Sequence, residues 1–88
     1  MTDLPLLDPR RGRRFSAMHT REQYNNMLKV VPFEVVVTPK SRAEHSAHGD
    51  YCETELQKRW FYEWDLGERV RYRFECEKDA IQFKLRFG

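Results

Sequence analysis

The chain has 88 residues, of which 40% are hydrophobic and 14% aromatic, and its formal net charge is +2. This length accommodates one small domain and leaves no room for a second, and the core lies near the lower limit for folding without disulfides or metals. No apolar run reaches the roughly 18 residues of a membrane span or the about 7 to 15 residues of a secretory signal. We therefore expect a soluble, cytoplasmic protein that does not enter a membrane.

The positive charge is concentrated at the N-terminus. Residues 1–18 contain two aspartates, two prolines, a glycine and four arginines, which are Arg10, Arg11, Arg13 and Arg14. Residues 19–88, in contrast, carry twelve positive and twelve negative side chains and are neutral. Prolines and glycine without a sustained hydrophobic period are typical of irregular chain. The prediction is a flexible basic arm at 1–18 in front of a single α+β domain at 19–88.

A helix and a strand are predicted directly after the arm. Four apolar side chains recur there at helical spacing, namely Tyr24, Met27, Leu28 and Val31. This stripe predicts a helix over 20–30, which begins at the Thr20/Gln23 capping box and ends before Pro32. The β-branched segment that follows lies between two prolines. It predicts an edge strand over 33–38.

The next segment, KSRAEHSAHGD, is polar and predicts an irregular connection. After it, Cys52, Leu56 and Trp60 are spaced four residues apart, and Asp50 precedes them as a candidate N-cap. This pattern predicts a short helix over 51–58.

The same region contains the best candidate for a metal site. His45, His48 and Cys52 recur at helical spacing, and Cys76 could supply a fourth ligand to zinc, which accepts imidazole and thiolate together. However, structural zinc sites usually bring their ligands as close pairs, whereas Cys76 stands alone. The alternative is that the histidines lie on the connection and Cys52 is a small buried residue. We predict free thiols, no bound metal and no other cofactor.

The segment RWFYEWDLGERVRYRF, residues 59–74, predicts a β-hairpin with strands at 60–65 and 69–75. Apolar side chains occupy every second position of both strands, as Trp60, Tyr62, Trp64, Val70, Tyr72 and Phe74. A two-residue loop would place rings and arginines on the same face. An odd loop keeps them apart: Asp65-Leu66-Gly67 places Tyr62 opposite Val70, and Leu66-Gly67-Glu68 places Glu63 opposite Arg71. Both odd registers bury the rings and set the arginines opposite carboxylates or Phe61.

The tail EKDAIQFKLRFG fits either a strand or a helix by periodicity. Acidic residues at its start and basic residues at its end complement a helix dipole, which favours a helix over 78–87. The predicted architecture is then a three-stranded, mainly antiparallel sheet covered on one face by all three helices.

The C-terminal segment also carries a resemblance. RYRFECEKDAIQFKLRFG combines an arginine-alternating strand, an acidic turn, the pair Asp79-Ala80 and an end rich in phenylalanine, lysine and leucine. In these features residues 72–88 resemble the C-termini of small uncharacterised bacteriophage proteins. The resemblance implies a helical tail and a phage-encoded accessory protein acting in the cytoplasm of an infected bacterium. It implies no catalytic residue.

The composition predicts a protein-binding function. The sequence contains no phosphate-binding glycine loop, HExxH or GxSxG motif, so we expect no enzymatic activity. Tyrosine, tryptophan and arginine dominate the energetics of protein interfaces and are abundant here. The expected partner is a host or phage protein, and a homo-oligomer contact could use the same exposed rings. The predicted partner-binding residues are Arg10, Arg11, Arg13, Arg14, Phe61, Arg71 and Arg73, with Phe61 exposed on the outer face of the sheet.

Nucleic-acid binding is the alternative function. The arginine-rich arm could contact phosphates, and exposed rings of the hairpin could stack on single-stranded bases. The neutral domain and the carboxylates opposite the hairpin arginines count against this alternative.

Overall fold

The computed structural model describes residues 4, 7, 14, 15, 20–56, 58–65 and 67–87. These ranges contain three helices and three strands, in the order α1 (Arg21–Val30), β1 (Phe33–Val37), α2 (Arg42–Glu55), β2 (Trp60–Trp64), β3 (Val70–Phe74) and α3 (Glu77–Phe87). The predicted α+β class and the three-stranded antiparallel sheet are confirmed. None of the described helices is long and apolar enough to cross a bilayer.

The sheet has the strand order β1-β3-β2, and both pairings are antiparallel. The central strand is therefore β3, and β1 lies at an edge as predicted. In the hairpin, Glu63 lies opposite Arg71, which is the second of the two odd registers. The Asp65 N–H donates to the Arg69 carbonyl at 2.8 Å, and Gly67 has a φ of 74°. That left-handed conformation is readily adopted by glycine, which explains its place in the loop.

The main core lies between the sheet and the pair α2 and α3. Its largest fully buried side chains are Trp60, Tyr72, Phe74 and Phe83. Burial of the hairpin's inner face is thus confirmed for most of its rings. Trp64 is an exception, since it is 56% exposed at the end of an edge strand, with the His45 ring 4.9 Å away. The prediction that Trp64 is buried was wrong because the alternation specifies its face but not how far the helices extend over it.

Helix α2 begins nine residues before the predicted start, so most of the predicted polar connection is helical. The Ser41 hydroxyl accepts a hydrogen bond from the Glu44 N–H at 3.1 Å and caps the helix. Burial of His48 and Cys52 against the sheet then stabilises a helix that its polar sequence alone does not favour. The predicted cap at Asp50 and the predicted end at residue 58 were wrong.

Helix α1 packs on the opposite face of the sheet from α2 and α3. It forms a second cluster in which Phe15, Met27 and Val31 are buried and Phe61 is partly buried. The Tyr24 hydroxyl donates to a Glu63 carboxylate oxygen at 2.8 Å, which joins the helix to β2. The prediction that all three helices cover one face was therefore wrong for α1. The physical reason is that the outward-pointing Phe61 ring needs apolar cover, which the apolar side of α1 provides.

Part of the predicted arm is attached to this second cluster. Phe15 is 2% exposed, and its N–H donates to the Trp60 carbonyl at 2.9 Å. Arg14 forms a parallel bridge with Trp60. The arm prediction also included Arg10, Arg11 and Arg13, which lie outside the described residues.

The tail is helical, and its ambiguity is resolved by burial. Ala80 and Phe83 are buried, whereas Ile81 and Leu85 are 51% and 83% exposed. The buried positions are spaced as on one face of a helix.

Met27→Ala should destabilise the protein by about 2 to 5 kcal/mol, because Met27 is completely buried in the cluster on which the position of α1 depends. Leu85→Ala, at a largely exposed position of α3, is the matched control and should change the unfolding free energy by less than about 0.5 kcal/mol. Urea unfolding followed by circular dichroism measures both. Equal effects of the two substitutions would show that α1 does not pack as described.

Candidate binding site at the free edge of the sheet

The outer face of the hairpin carries a network of arginines and carboxylates. Arg73 contacts Glu34 and Glu63, each at 3.2 Å. Arg71 contacts Asp65 at 3.0 Å and Glu34 at 3.5 Å. The structure therefore brings these two predicted partner-binding residues together, but each has two carboxylates beside it. Little of their charge is left unmatched for a ligand.

The other predicted partner-binding residues do not complete this patch. Phe61 lies opposite Arg73 but is half-buried against the second cluster, so the prediction of an exposed ring was wrong. Arg14 is half-buried beside β2, and its guanidinium carbon lies 5.4 Å from the centroid of the Tyr62 ring. The predicted residues that the structure describes thus belong to two different places on the molecule.

The candidate metal ligands lie in different surroundings. His45 packs against Tyr62 and Trp64, with centroid distances of 5.3 and 4.9 Å. Cys52 is buried in the main core, and burial raises the pKa of its thiol well above the ordinary value. Cys76 is half-buried just before α3. Over the described ranges, no three His, Cys, Asp or Glu side chains are grouped as metal ligands.

Strand β3 pairs with one side of β1, and no described strand lies on the other side. The Asp65 N–H donates to the Arg69 carbonyl, and the Glu75 N–H donates to the Arg59 carbonyl. The odd-numbered residues of β3 and its flanks therefore form their backbone hydrogen bonds with β2 and its flanks. Successive residues of an antiparallel strand bond to opposite sides, so Tyr72 and its even-numbered neighbours bond to β1. Since Tyr72 lies opposite Val35, the intervening residues of β1, Glu34 and Val36, direct their N–H and C=O groups away from the sheet.

No described residue forms a backbone hydrogen bond with these outward groups of Glu34 and Val36. The opposite edge of the sheet is covered in part, because the outward carbonyl of Trp60 in β2 accepts a hydrogen bond from the Phe15 N–H. Unpaired N–H and C=O groups on an edge strand are a template for pairing with another strand.

A groove of about 320 Å³ runs along this open edge, between β1 and the end of α3. Its lining residues are Glu34, Val35, Val36, Val37, Thr38, Lys84 and Phe87. We call it the edge groove. Val36 is 41% exposed, and Phe87 is half-buried and forms an apolar wall. The groove therefore offers backbone hydrogen-bonding groups beside an apolar surface.

The edge groove contains one acidic and one basic side chain, Glu34 and Lys84, which differ in their ion pairing. The Glu34 carboxylate, on the outer face, already contacts Arg71 and Arg73. Lys84 is exposed, and none of the ion pairs between described residues includes its ammonium. The groove therefore presents one positive charge that the described part of the chain does not match.

Val36, Lys84 and Phe87 were not predicted as binding residues from the sequence. The prolines that bound β1 indicated a short edge strand, which was the available signal. Which residues of β1 direct their N–H and C=O groups away from the sheet, however, depends on both the strand order and the hairpin register.

Comparisons of the chain with protein-family models, with curated proteins and with solved structures gave no match.

The stability of the fold should decrease in mildly acidic solution because His48 is buried as a neutral ring. It is 2% exposed, and its ring lies 4.4 Å from that of Phe87. Burial lowers the pKa of His48; the nearby His45 adds to this effect and Glu44 opposes it. In the unfolded chain the pKa is about 6.5, so below that pH the unfolded state binds the additional proton and is favoured.

The unfolding free energy should therefore be nearly constant above about pH 7 and fall as the pH decreases through about 6.5. Urea titrations at about pH 7.5 and about pH 5.5 measure the loss. His48→Leu should reduce this loss, leaving the part due to His45, whose pKa burial also lowers. An identical pH dependence in both proteins would contradict the assignment to His48.

Proposed function

We propose that this chain is a non-enzymatic accessory protein, of the phage type that residues 72–88 resemble, which binds and modulates a host or phage protein in the bacterial cytoplasm. In this proposal an extended segment of the partner adds to β1 as a fourth strand. Such β-strand addition obtains its affinity from main-chain hydrogen bonds and its specificity from the side chains of adjacent pockets.

The observation that carries the proposal is the pair of outward-facing backbone positions, Glu34 and Val36, within the edge groove. An added strand would bond to the N–H and C=O groups of both residues. Its side chains would alternate between the outer face, beside Val36, and the side of α3, beside Phe87. The site thus provides the backbone hydrogen-bonding groups and the adjacent side-chain surface that a strand-addition interface requires.

The length of β1 restricts what can bind. The strand has five residues and lies between Pro32 and Pro39, which cannot donate backbone hydrogen bonds. Short edge strands bounded by such residues limit uncontrolled pairing between sheets. A short peptide segment fits this edge better than a long strand of a second sheet.

The nucleic-acid alternative has less structural support. Arg71 and Arg73 contact carboxylates, and Phe61 packs against α1. A matched guanidinium releases few counterions when it approaches a phosphate. Steeply salt-dependent binding of oligonucleotides, lost on substitution of all four arm arginines, would favour the alternative.

Val36→Pro should weaken partner binding while leaving the protein folded. The substitution removes an N–H that points away from β3, so it breaks no hydrogen bond of the sheet, and proline is compatible with such an edge position. Val36→Thr is the matched control, because it keeps the edge N–H and the β-branched shape. Tagged wild-type protein and both variants are incubated with bacterial lysate treated with nuclease, and captured proteins are quantified by mass spectrometry.

The wild-type protein and Val36→Thr should retain the same protein in stoichiometric amount, and Val36→Pro should retain roughly tenfold less, a loss of about 1.4 kcal/mol. Circular dichroism of each variant verifies the fold. Equal capture by Val36→Pro would exclude strand addition at β1, and the absence of any stoichiometric protein would count against a protein partner.

A further inference from the structure

Lys84 of the edge groove forms no ion pair with any carboxylate of the described residues. Lys84 and Phe87 are three positions apart on α3, so they lie on the same side of the helix, with their Cβ atoms about 5 to 6 Å apart. Residues i and i+2 of an extended strand face the same way and are about 6.6 Å apart. Two successive side chains on one face of an added strand can therefore contact Lys84 and Phe87 together.

From this geometry we infer that the edge groove binds an extended acidic segment of another protein, in which a carboxylate contacts Lys84 and an apolar side chain two residues away contacts Phe87. The inference rests on the proposed function and specifies the partner's chemistry. It follows from charge complementarity, because Glu34, the acidic residue of the groove, already contacts Arg71 and Arg73.

A second copy of this chain fits the groove less well. An antiparallel pairing of two β1 strands has a two-fold axis perpendicular to the joined sheet. Both α3 helices would then lie on the same face, and the two Lys84 side chains would approach each other. Since β1 directs Val35 and Val37 toward that face, a second β1 strand would bring no carboxylate to either lysine.

The test uses a library of random decapeptides displayed on yeast, selected on the immobilised full-length protein. Peptides that also bind Val36→Pro are discarded, so the retained peptides depend on the edge of β1. We expect them to be enriched in Asp or Glu with an apolar residue two positions away. Selection on Lys84→Glu should instead enrich Lys or Arg at the acidic position.

Lys78→Glu is the matched control, because Lys78 is an exposed lysine of α3 that lines a different depression together with Glu55 and Asp79. It should leave the preference for acidic residues unchanged. Lys84→Glu should weaken the selected acidic peptide roughly tenfold, whereas Lys78→Glu should change its affinity less than about twofold.

The outcomes distinguish the two proposals. Retained peptides without acidic enrichment, or with enrichment that Lys84→Glu does not alter, overturn the inference about Lys84 and leave strand addition standing. Absence of any peptide sensitive to Val36→Pro overturns both. A wild-type dimer that sedimentation analysis shows to be lost in Val36→Pro would identify a second copy as the occupant and overturn the inference.

Discussion

The register of the β2–β3 hairpin is the constraint on which the rest of the structure depends. Gly67, with a φ of 74°, closes an odd-numbered loop, and Asp65 then pairs with Arg69. A slip of one residue would exchange the two faces of a strand. It would therefore move Tyr72 from the core to the side that now carries Arg71. The observed register places apolar side chains against α2 and α3 and arginines beside carboxylates.

The same register determines the properties of the molecular surface. On the outer face it matches Arg71 and Arg73 with carboxylates, so the arginines of β3 are not the strongest binding candidates. At the edge it determines which residues of β1 face outward, because alternate residues of β3 are already paired with β2. The outward direction of the backbone groups of Glu34 and Val36 thus depends on the loop between β2 and β3.

Local patterns predicted the elements better than their arrangement. The hairpin faces and the terminal helix could be predicted because side-chain alternation and helix-end charges are local properties. The start of α2 was missed because the Ser41 cap was not recognised. The packing of α1 over Phe61 could not be predicted. The hydrophobic period of a helix shows that one side of the helix is buried, but it does not show which face of the sheet that side covers. Lys84 joins the candidate site only through the strand order, which no single segment encodes.

Among the described residues, β1 is hydrogen-bonded to a neighbouring strand on one side only, and amide hydrogen exchange measured by NMR tests this most directly. The N–H groups of Val35 and Val37 point toward β3 and should exchange slowly, whereas that of Val36 should exchange much faster, although all three residues lie in one regular strand. This alternation is the result that the structure predicts. Protection of the Val36 amide equal to that of Val35 would show that the edge is already covered and would contradict both the open edge and the function proposed for it.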